Sequence, residues 1–331
     1  MNFTDNSLDD LLRKVLTRLL KVRSVVSPTK GPNRELLACN LTLNNPRNRL
    51  SRSNSKNTLA SCLGEFIWYM SKSDRLKDIQ YYIPIYDKFS DDGLIVYGAY
   101  GPRIFYRNGY DQLSFVIEKL TRKPNTRKAI IQIFDPVDSL QDHKDIPCTC
   151  SLQFFIRGHS LHLITHMRSN DAYKGLPHDI FCFTMIQEIV ANALGKKLGK
   201  YHHLVGSLHL YEDDIESAQS YLNEGWQSIK EMPSMPAGNQ LTAISAFTDY
   251  ANKIRNGNYE NHKESELDDY WSDLVQILKI IDIFKQGLSK MQTLREALEV
   301  KEYISTSYYD SYLGRRVRNI SHKEENEGGL F

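Results

Sequence analysis

The stretch Pro147-Cys148-Thr149-Cys150-Ser151-Leu152-Gln153-Phe154-Phe155-Ile156-Arg157-Gly158-His159-Ser160-Leu161-His162-Leu163-Ile164-Thr165-His166-Met167-Arg168-Ser169-Asn170-Asp171-Ala172-Tyr173-Lys174-Gly175-Leu176-Pro177-His178-Asp179 organises this chain. Apolar side chains alternate through Leu152, Phe154 and Ile156, and again from Leu161 to Met167. A short polar turn, Arg157-Gly158-His159, separates the two runs. Period-two alternation around such a turn predicts a β-hairpin. A thiol opens the hairpin at Cys148, and Arg168, Ser169, Asp171 and Asp179 close it. That places a nucleophile, an anion clamp and acid/base groups within one local unit.

Upstream, Leu8, Leu11, Leu12, Val15, Leu16, Leu19 and Leu20 fall at helical spacing, with Asn6 or Ser7 as cap. The loop around Ser27 to Arg34 contains Lys30. Composition reads it as a solvated turn, and small and basic residues also suit a phosphate. Residues 35–43 predict a strand, and Thr58 to Met70 a helix with Glu65 inside it. A carboxylate there either faces solvent or, turned inward, needs a partner or a raised pKa. Ile95 to Arg103 mixes glycines with aromatics, a composition that suits a pocket wall. Asp111 to Leu120 predicts a helix, and Ala129 to Phe134 a strand preceded by the cations Arg127 and Lys128.

Downstream, Ile180 to Leu194 predicts a buried helix between Pro177 and Gly195. Leu204 to Tyr211 predicts a strand with His209 and Tyr211 on one face. Asp213 to Leu222 predicts a further helix. Beyond residue 225 the pattern changes. Glu231 to Gly238 is linker-like, while Asp268 to Phe284 and Met291 to Ile304 predict helices. The expected organisation is therefore a domain over 1–225 and a mainly helical extension over 226–331 packed on it, with a mobile acidic and glycine-rich tail, Lys323 to Phe331.

The 331 residues are 41% hydrophobic and 25% charged, with a formal net charge of +2. This balance gives no bulk electrostatic reason to bind nucleic acid or a membrane. No apolar run spans a bilayer, and the N-terminus lacks signal-peptide order, so a cytoplasmic protein is expected. The cysteine count, 5, is odd and argues against a disulfide scaffold. Too few well-spaced ligands accompany Cys148 and Cys150 for a zinc site. No P-loop or dinucleotide-binding glycine motif and no Cys-His protease signature occurs.

Read together and in order, Pro147-Cys148, Gln153-Phe154, Arg168-Ser169-Asn170-Asp171, Gly175-Leu176-Pro177 and His209-Leu210-Tyr211 closely resemble the thymidylate synthase superfamily. Glu65 within Gly64-Glu65-Phe66-Ile67-Trp68-Tyr69, the turn Val96-Tyr97-Gly98 and the pair Arg127-Lys128 add partial matches. The resemblance covers roughly residues 8–222. It implies an α/β (α+β) fold with a large mixed sheet, surrounding helices and a homodimer interface on the sheet. It implies a pyrimidine nucleoside monophosphate substrate and 5,10-methylenetetrahydrofolate as one-carbon donor. By motif, Cys148 adds to C6 of the base, and Glu65 organises water and proton transfers. Arg168 and Ser169 hold the phosphate, and Arg127 and Lys128 reach it from the partner subunit. His209 and Tyr211 contact the sugar, while Asp171 supports the base and nearby backbone. Tyr97, Asp171 and Gly175 line the folate side. The family's Asp-Arg-Thr-Gly motif is absent, and Lys30 stands in the loop where the family has another phosphate-binding arginine.

Two departures shape the expected reaction. The family motif Gly-Leu-Pro-Phe-Asn here ends in His178-Asp179. An asparagine offers N–H to uracil O4 and C=O to uracil N3–H, whereas cytosine presents a donor at N4 and an acceptor at N3. A carboxylic acid accepts from N4–H and donates to N3, so Asp179 fits cytosine. A misplaced donor or acceptor costs about 1–3 kcal/mol in a buried site. This exchange marks the cytidylate hydroxymethylase branch. The chain also ends in Glu327-Gly328-Gly329-Leu330-Phe331, without the Ile-Lys-Met-x-x-Ala-Val ending that closes over folate. Thr149, Met167 and Ser207 replace the family's usual His, Gln and Asp. The expectation is hydroxymethylation of CMP or dCMP. C5 methylation of dUMP or dCMP, and a non-catalytic nucleotide-binding relative, remain the alternatives.

Overall fold

The computed structural model describes residues 1–28, 30–56 and 58–314. The tail Lys323 to Phe331 and its departure from the family ending lie outside the described residues. In chain order the elements are β1 (Asn2–Asp5), α1 (Leu8–Leu20), β2 (Asn33–Leu43), α2 (Leu59–Met70), α3 (Leu76–Gln80), α4 (Tyr100–Phe105), α5 (Gln112–Arg122), β3 (Ile130–Gln132), β4 (Thr149–Arg157), β5 (Ser160–Asp171), α6 (Gly175–Ala193), β6 (Lys197–Tyr211), α7 (Ile215–Asn223), α8 (Leu241–Arg255), α9 (Asp269–Ile283) and α10 (Lys290–Lys301).

The expected hairpin is present: β4 and β5 pair antiparallel from Arg157↔Ser160 to Thr149↔Met167. They sit within a 6-stranded mixed sheet of order β1-β2-β6-β5-β4-β3. β5 and β6 are parallel, β6 and β2 antiparallel, and β2 and β1 parallel. The parallel β5–β6 pair needs a crossover, and α6 supplies it while packing on both strands. Leu152, Phe154, Leu161, Leu163, Tyr201 and Leu208 are buried, and so are Leu176, Ile180, Phe181 and Phe183 of α6. α2 packs on α6 and α1 on β2. Ser7 caps α1 by accepting from Asp10 N–H, as the sequence leads one to expect.

One helix starts earlier than its apolar run predicts. α6 begins at Gly175, not Ile180. Asp171 Oδ1 accepts from the N–H groups of Tyr173 (2.8 Å) and Lys174 (3.0 Å), which turns the chain out of β5 into the helix. Pro177 then falls in the first turn, where its missing N–H is tolerated. As a result Asp179 is a helical residue aimed back at the sheet.

The chain divides into two compact units, Met1–Gln240 and from Leu241 onward. Composition puts the boundary at 225, but residues 226–240 belong with the first unit. Arg47 pairs with Glu231, Met232 N–H donates to Arg47 O (2.9 Å), and Met235 N–H to Glu188 Oε1 (3.0 Å). In the second unit α9 packs on α8 and α10. α8 has no counterpart among the expected elements, because the Glu231 to Gly238 stretch before it reads as linker. Its buried Ile244, Phe247, Ala251 and Ile254 nevertheless fall at helical spacing. Within this unit Lys279 and Glu264 form a buried ion pair at 2.6 Å.

Candidate active site

The thiol sits where the sheet is locally distorted. Between Thr149↔Met167 and Ser151↔His166 the ladder skips Cys150, a bulge on β4. Bulges bend a strand and re-aim neighbouring side chains. Cys148 lies just before it, its carbonyl accepting from Arg168 N–H at 2.8 Å. The Arg168 side chain folds onto the same turn, with Nε donating to Pro147 O (2.9 Å) and Nη2 to Ile146 O (2.8 Å). Burial pushes the Cys148 thiol up, and the Arg168 guanidinium is the leading influence that pulls it down. Lys30 pulls in the same direction, and Asp145 and Asp179 oppose it.

Glu65 faces inward, which settles the choice that periodicity leaves open. It is 7% exposed and accepts from Tyr69 Oη at 2.5 Å and from Tyr86 Oη at 3.5 Å. Its negative charge acts on Asp179. Asp179 is buried, and its carboxyl is held well above the usual carboxylate range, chiefly by burial and then by Glu65. Asn170 Nδ2 donates to Asp179 Oδ2 at 2.7 Å. Behind Asn170, His203 Nε2 lies 2.9 Å from its Oδ1, and Tyr201 Oη lies 2.7 Å from His203 Nδ1. Burial lowers the His203 pKa to about 3, so the ring is neutral. Its Nε2 must donate to the Asn170 oxygen, so Nδ1 accepts from Tyr201. The relay Tyr201–His203–Asn170–Asp179 thus has one direction. It makes Oδ2 of Asp179 an acceptor and leaves the acid proton to Oδ1.

Gly175 stands over this pair: a Cβ there would come within 3.1 Å of Asn170 Nδ2 and 3.7 Å of Asp179 Oδ2. His209 and Tyr211 share a face as expected, their rings 5.0 Å apart. Burial lowers the His209 pKa, against a pull upward from Asp171. Ser169 pairs with Ser207 across β5 and β6. Lys30 lies 4.5 Å over the Phe89 ring, and its charge reaches Cys148 and His209. The Tyr97 hydroxyl is committed to Asp138 (2.9 Å), and its ring stacks on His143 at 3.6 Å. Arg127 and Lys128 are exposed in the single chain, and Lys128 lines a separate groove with Arg107, Tyr110 and Phe115.

The sequence assigned no role to Asn170, His203, Tyr100 or Lys56. Tyr100 Oη meets Thr149 Oγ1 at 3.0 Å, and both Asp179 and Cys148 act on it. Lys56 is 6% exposed, with its Nζ 3.5 Å over the Tyr173 ring, and its side chain has no hydrogen bond or ion pair among the described residues. Burial lowers its pKa to about 8, opposed by Asp171. Asp171 and Asp214 act on this buried ammonium, and no carboxylate pairs with it among the described residues. Trp68 Nε1 is buried and has no acceptor among the described residues. Strict alternation could not have found Asn170: Leu161, Leu163, Thr165 and Met167 are the buried positions of β5, and Asn170 is buried out of step with them because the phase breaks at Arg168.

In this mixed-sheet α/β unit a half-buried thiol is flanked by an arginine and acted on by Asp179, which Glu65 acts on in turn. The comparisons agree with this architecture: residues 46–268 match the thymidylate synthase family, and the chain belongs to that family. It is similar to the deoxyuridylate hydroxymethyltransferase of Bacillus phage SP01, 30% identical over 226 residues, covering 64% of this chain and 59% of that protein. It is also similar to the deoxyuridylate hydroxymethyltransferase of Delftia phage PhiW-14, 29% identical over 222 residues, covering 63% of this chain and 61% of that protein. The chain therefore spans about three fifths of the length of these relatives. The crystal structure of thymidylate synthase from T4 phage shares the fold with a TM-score of 0.59 at 20% identity, covering 75% of this chain and 93% of that one.

Proposed function

We propose that this protein is a hydroxymethyltransferase acting at C5 of a pyrimidine nucleoside monophosphate, and that its base is cytosine. The observation that carries the reading is the buried, high-pKa carboxyl of Asp179 in contact with Asn170. 5,10-Methylenetetrahydrofolate, the donor that the family resemblance implies, supplies the one-carbon unit. In this reading its side of the site is lined by Tyr97, Asp171 and Gly175, which the resemblance assigns, and by the buried Lys56 and Trp68.

In this reading Arg168 and Ser169, with Lys30, hold the 5′-phosphate, and His209 and Tyr211 hold the sugar. The Cys148 thiolate bonds to C6, and the displaced electron pair makes C5 nucleophilic. Asp179 Oδ1–H donates to N3 while Oδ2 accepts from N4–H, so the acid is used in its neutral form. Glu65, fixed by Tyr69 and Tyr86, orders the water and the proton transfers. C5 bonds to the one-carbon unit and loses its hydrogen as a proton. Tetrahydrofolate leaves with the electron pair of the carbon–nitrogen bond, and water oxygen then bonds to the exocyclic methylene carbon and gives up a proton. The electron pair returns through the ring and expels the Cys148 thiolate, closing the cycle.

The resemblance further supports a homodimer. In one chain, Phe155, Ile164 and Leu204 of the second sheet face are only half-buried, and Leu37 is 67% exposed. A partner on this face covers them, and Arg127 and Lys128 then reach its phosphate site. A second base, uracil, is favoured by the names of the two phage relatives. A protonated carboxyl offers one donor and one acceptor, as an amide does.

The deciding assay incubates the enzyme and folate with CMP, dCMP and dUMP separately and weighs the products. A 5-hydroxymethylcytosine nucleotide without dihydrofolate absorbance is expected. Dihydrofolate formation with a methylated product would replace this reading by methyl transfer. Bound nucleotide without exchange of the C5 hydrogen would indicate a binding protein. Asp179→Asn should move preference toward dUMP by about 10-fold or more, and an unchanged preference would remove Asp179 from base reading.

A further inference from the structure

His178 stands beside the acid assigned to the base, at the place where the family motif has phenylalanine. A phenyl ring offers packing alone. An imidazole offers two nitrogens, and both are engaged here. Nδ1 lies 2.8 Å from Lys174 O, at the cap of α6, and Nε2 lies 2.8 Å from Ser61 Oγ, in the first turn of α2. The Ser61 hydroxyl also has Thr58 O within reach at 3.1 Å.

These partners fix the ring. A carbonyl oxygen only accepts, so Nδ1 carries a hydrogen and donates to Lys174 O. In the neutral ring Nε2 then accepts from the Ser61 hydroxyl. In the charged ring Nε2 donates to Ser61 Oγ, and the hydroxyl turns to Thr58 O. Either way the two helices stay tied.

The tie joins the starts of the two helices that carry the site's acids. α2 and α6 pack on each other. Asp179 follows His178 on α6, and Glu65 lies one turn beyond Ser61 on the same side of α2. Lys174 is held at both of its backbone groups, its N–H by Asp171 Oδ1 at 3.0 Å and its carbonyl by His178. Asp179 itself has one hydrogen bond among the described residues, the one from Asn170 at 2.7 Å. A single bond sets a distance and leaves the carboxyl plane free to swing about it. The setting of the first turn of α6 then decides that plane.

We propose that His178 is a positioning residue for base recognition: by bonding Lys174 O and Ser61 Oγ it fixes the first turn of α6 on α2, and so holds the Asp179 carboxyl square to the base. The recognition half rests on the nucleotide reading given above; the tie between the helices does not. Hydrogen bonds weaken steeply as their angle departs from linear, so a small rotation of this turn costs selectivity before it costs folding.

The test uses His178→Phe, which keeps the bulk of a ring, His178→Gln, whose amide donates to Lys174 O and accepts from Ser61, and Ser61→Ala, which removes one end of the tie. In the free protein, amide hydrogen exchange is followed by peptide mass over the starts of α2 and α6. Exchange should quicken at both in His178→Phe and Ser61→Ala, and return toward the parent in His178→Gln. In turnover, kcat/KM is measured for CMP, dCMP and dUMP. The cytosine-to-uracil ratio should fall about tenfold in His178→Phe, less in Ser61→Ala, and recover in His178→Gln. With Asp179→Asn already in place, His178→Phe should change the ratio no further. Should His178→Phe fail to fold, Ser61→Ala carries both measurements. Unchanged exchange overturns the tie. A ratio that holds in His178→Phe while Asp179→Asn moves it, or that falls equally in both backgrounds, overturns the positioning role. If Asp179→Asn itself leaves the ratio fixed, the base reading fails and the positioning role with it, while quickened exchange still upholds the tie.

Discussion

Asn170 Nδ2 donates to Asp179 Oδ2 across 2.7 Å, so one oxygen of a buried carboxyl is committed as an acceptor before any ligand arrives. That bond comes from β5 to α6 and exists because Asp171 turns the chain into the helix early. Asn170→Ala should therefore free the Asp179 proton to sit on either oxygen. We expect kcat/KM for the preferred base to fall by about 10- to 100-fold, the equivalent of one lost buried hydrogen bond. The ratio between cytosine and uracil nucleotides should shrink as well. His203→Phe, which removes the donor behind Asn170, should do the same to a lesser degree. A variant series with intact selectivity would disconnect the relay from base reading.

The same carboxyl predicts a pH dependence of stability. Its folded pKa lies above its unfolded value, so the folded state holds the proton longer. Stability from this group is full below the unfolded pKa of about 3.9 and is lost as pH rises above it. Each pH unit by which ionisation is delayed costs about 1.4 kcal/mol. Asp179→Asn should thus raise the denaturation midpoint at neutral pH and above, with the gain vanishing near pH 4. Urea titrations at both pH values check the sign. A gain at acid pH alone would contradict it.

The thiol of Cys148 is held up by burial and drawn down by Arg168. Alkylation and turnover should both rise with pH through the alkaline limb, since thiolate is the reacting form. Arg168→Gln should move that limb to higher pH and slow alkylation near neutrality on the order of tenfold. A rate loss with an unmoved limb would show that Arg168 acts on the loop and not on the thiol.

Arg49 and Glu188 form an ion pair with both side chains buried, and Glu188 also accepts from Met235 N–H. Glu188→Ala leaves a buried guanidinium without its partner, and we expect a loss of about 3–5 kcal/mol in unfolding free energy. Replacing both residues by apolar ones, Arg49→Met with Glu188→Leu, should recover most of it. Equal losses in the single and double variants would mean that the pair itself carries the stability.

The hairpin, its turn and the first helix were legible because their periods are regular and their burial is one-sided. Cys148 and Arg168 were legible as chemistry because their residue types stand at the two ends of that hairpin. Periodicity left only the orientation of Glu65 open, since a single acid in a helix reads equally well either way until Tyr69 and Tyr86 are seen to hold it. α8 escaped because it follows proline-rich, linker-like sequence, and β1 because four residues carry too little pattern.

By itself, the sequence determined the strand–turn–strand unit and the order of thiol, arginine and acids along it, for these depend on local alternation and residue type. Only the tertiary structure decided what those groups face. The early start of α6 turns Asp179 onto Asn170, and a bulge in β4 lies just after Cys148. The physical reason is that burial and the fields of distant charges fix the protonation of each group, and neither quantity is local in the chain.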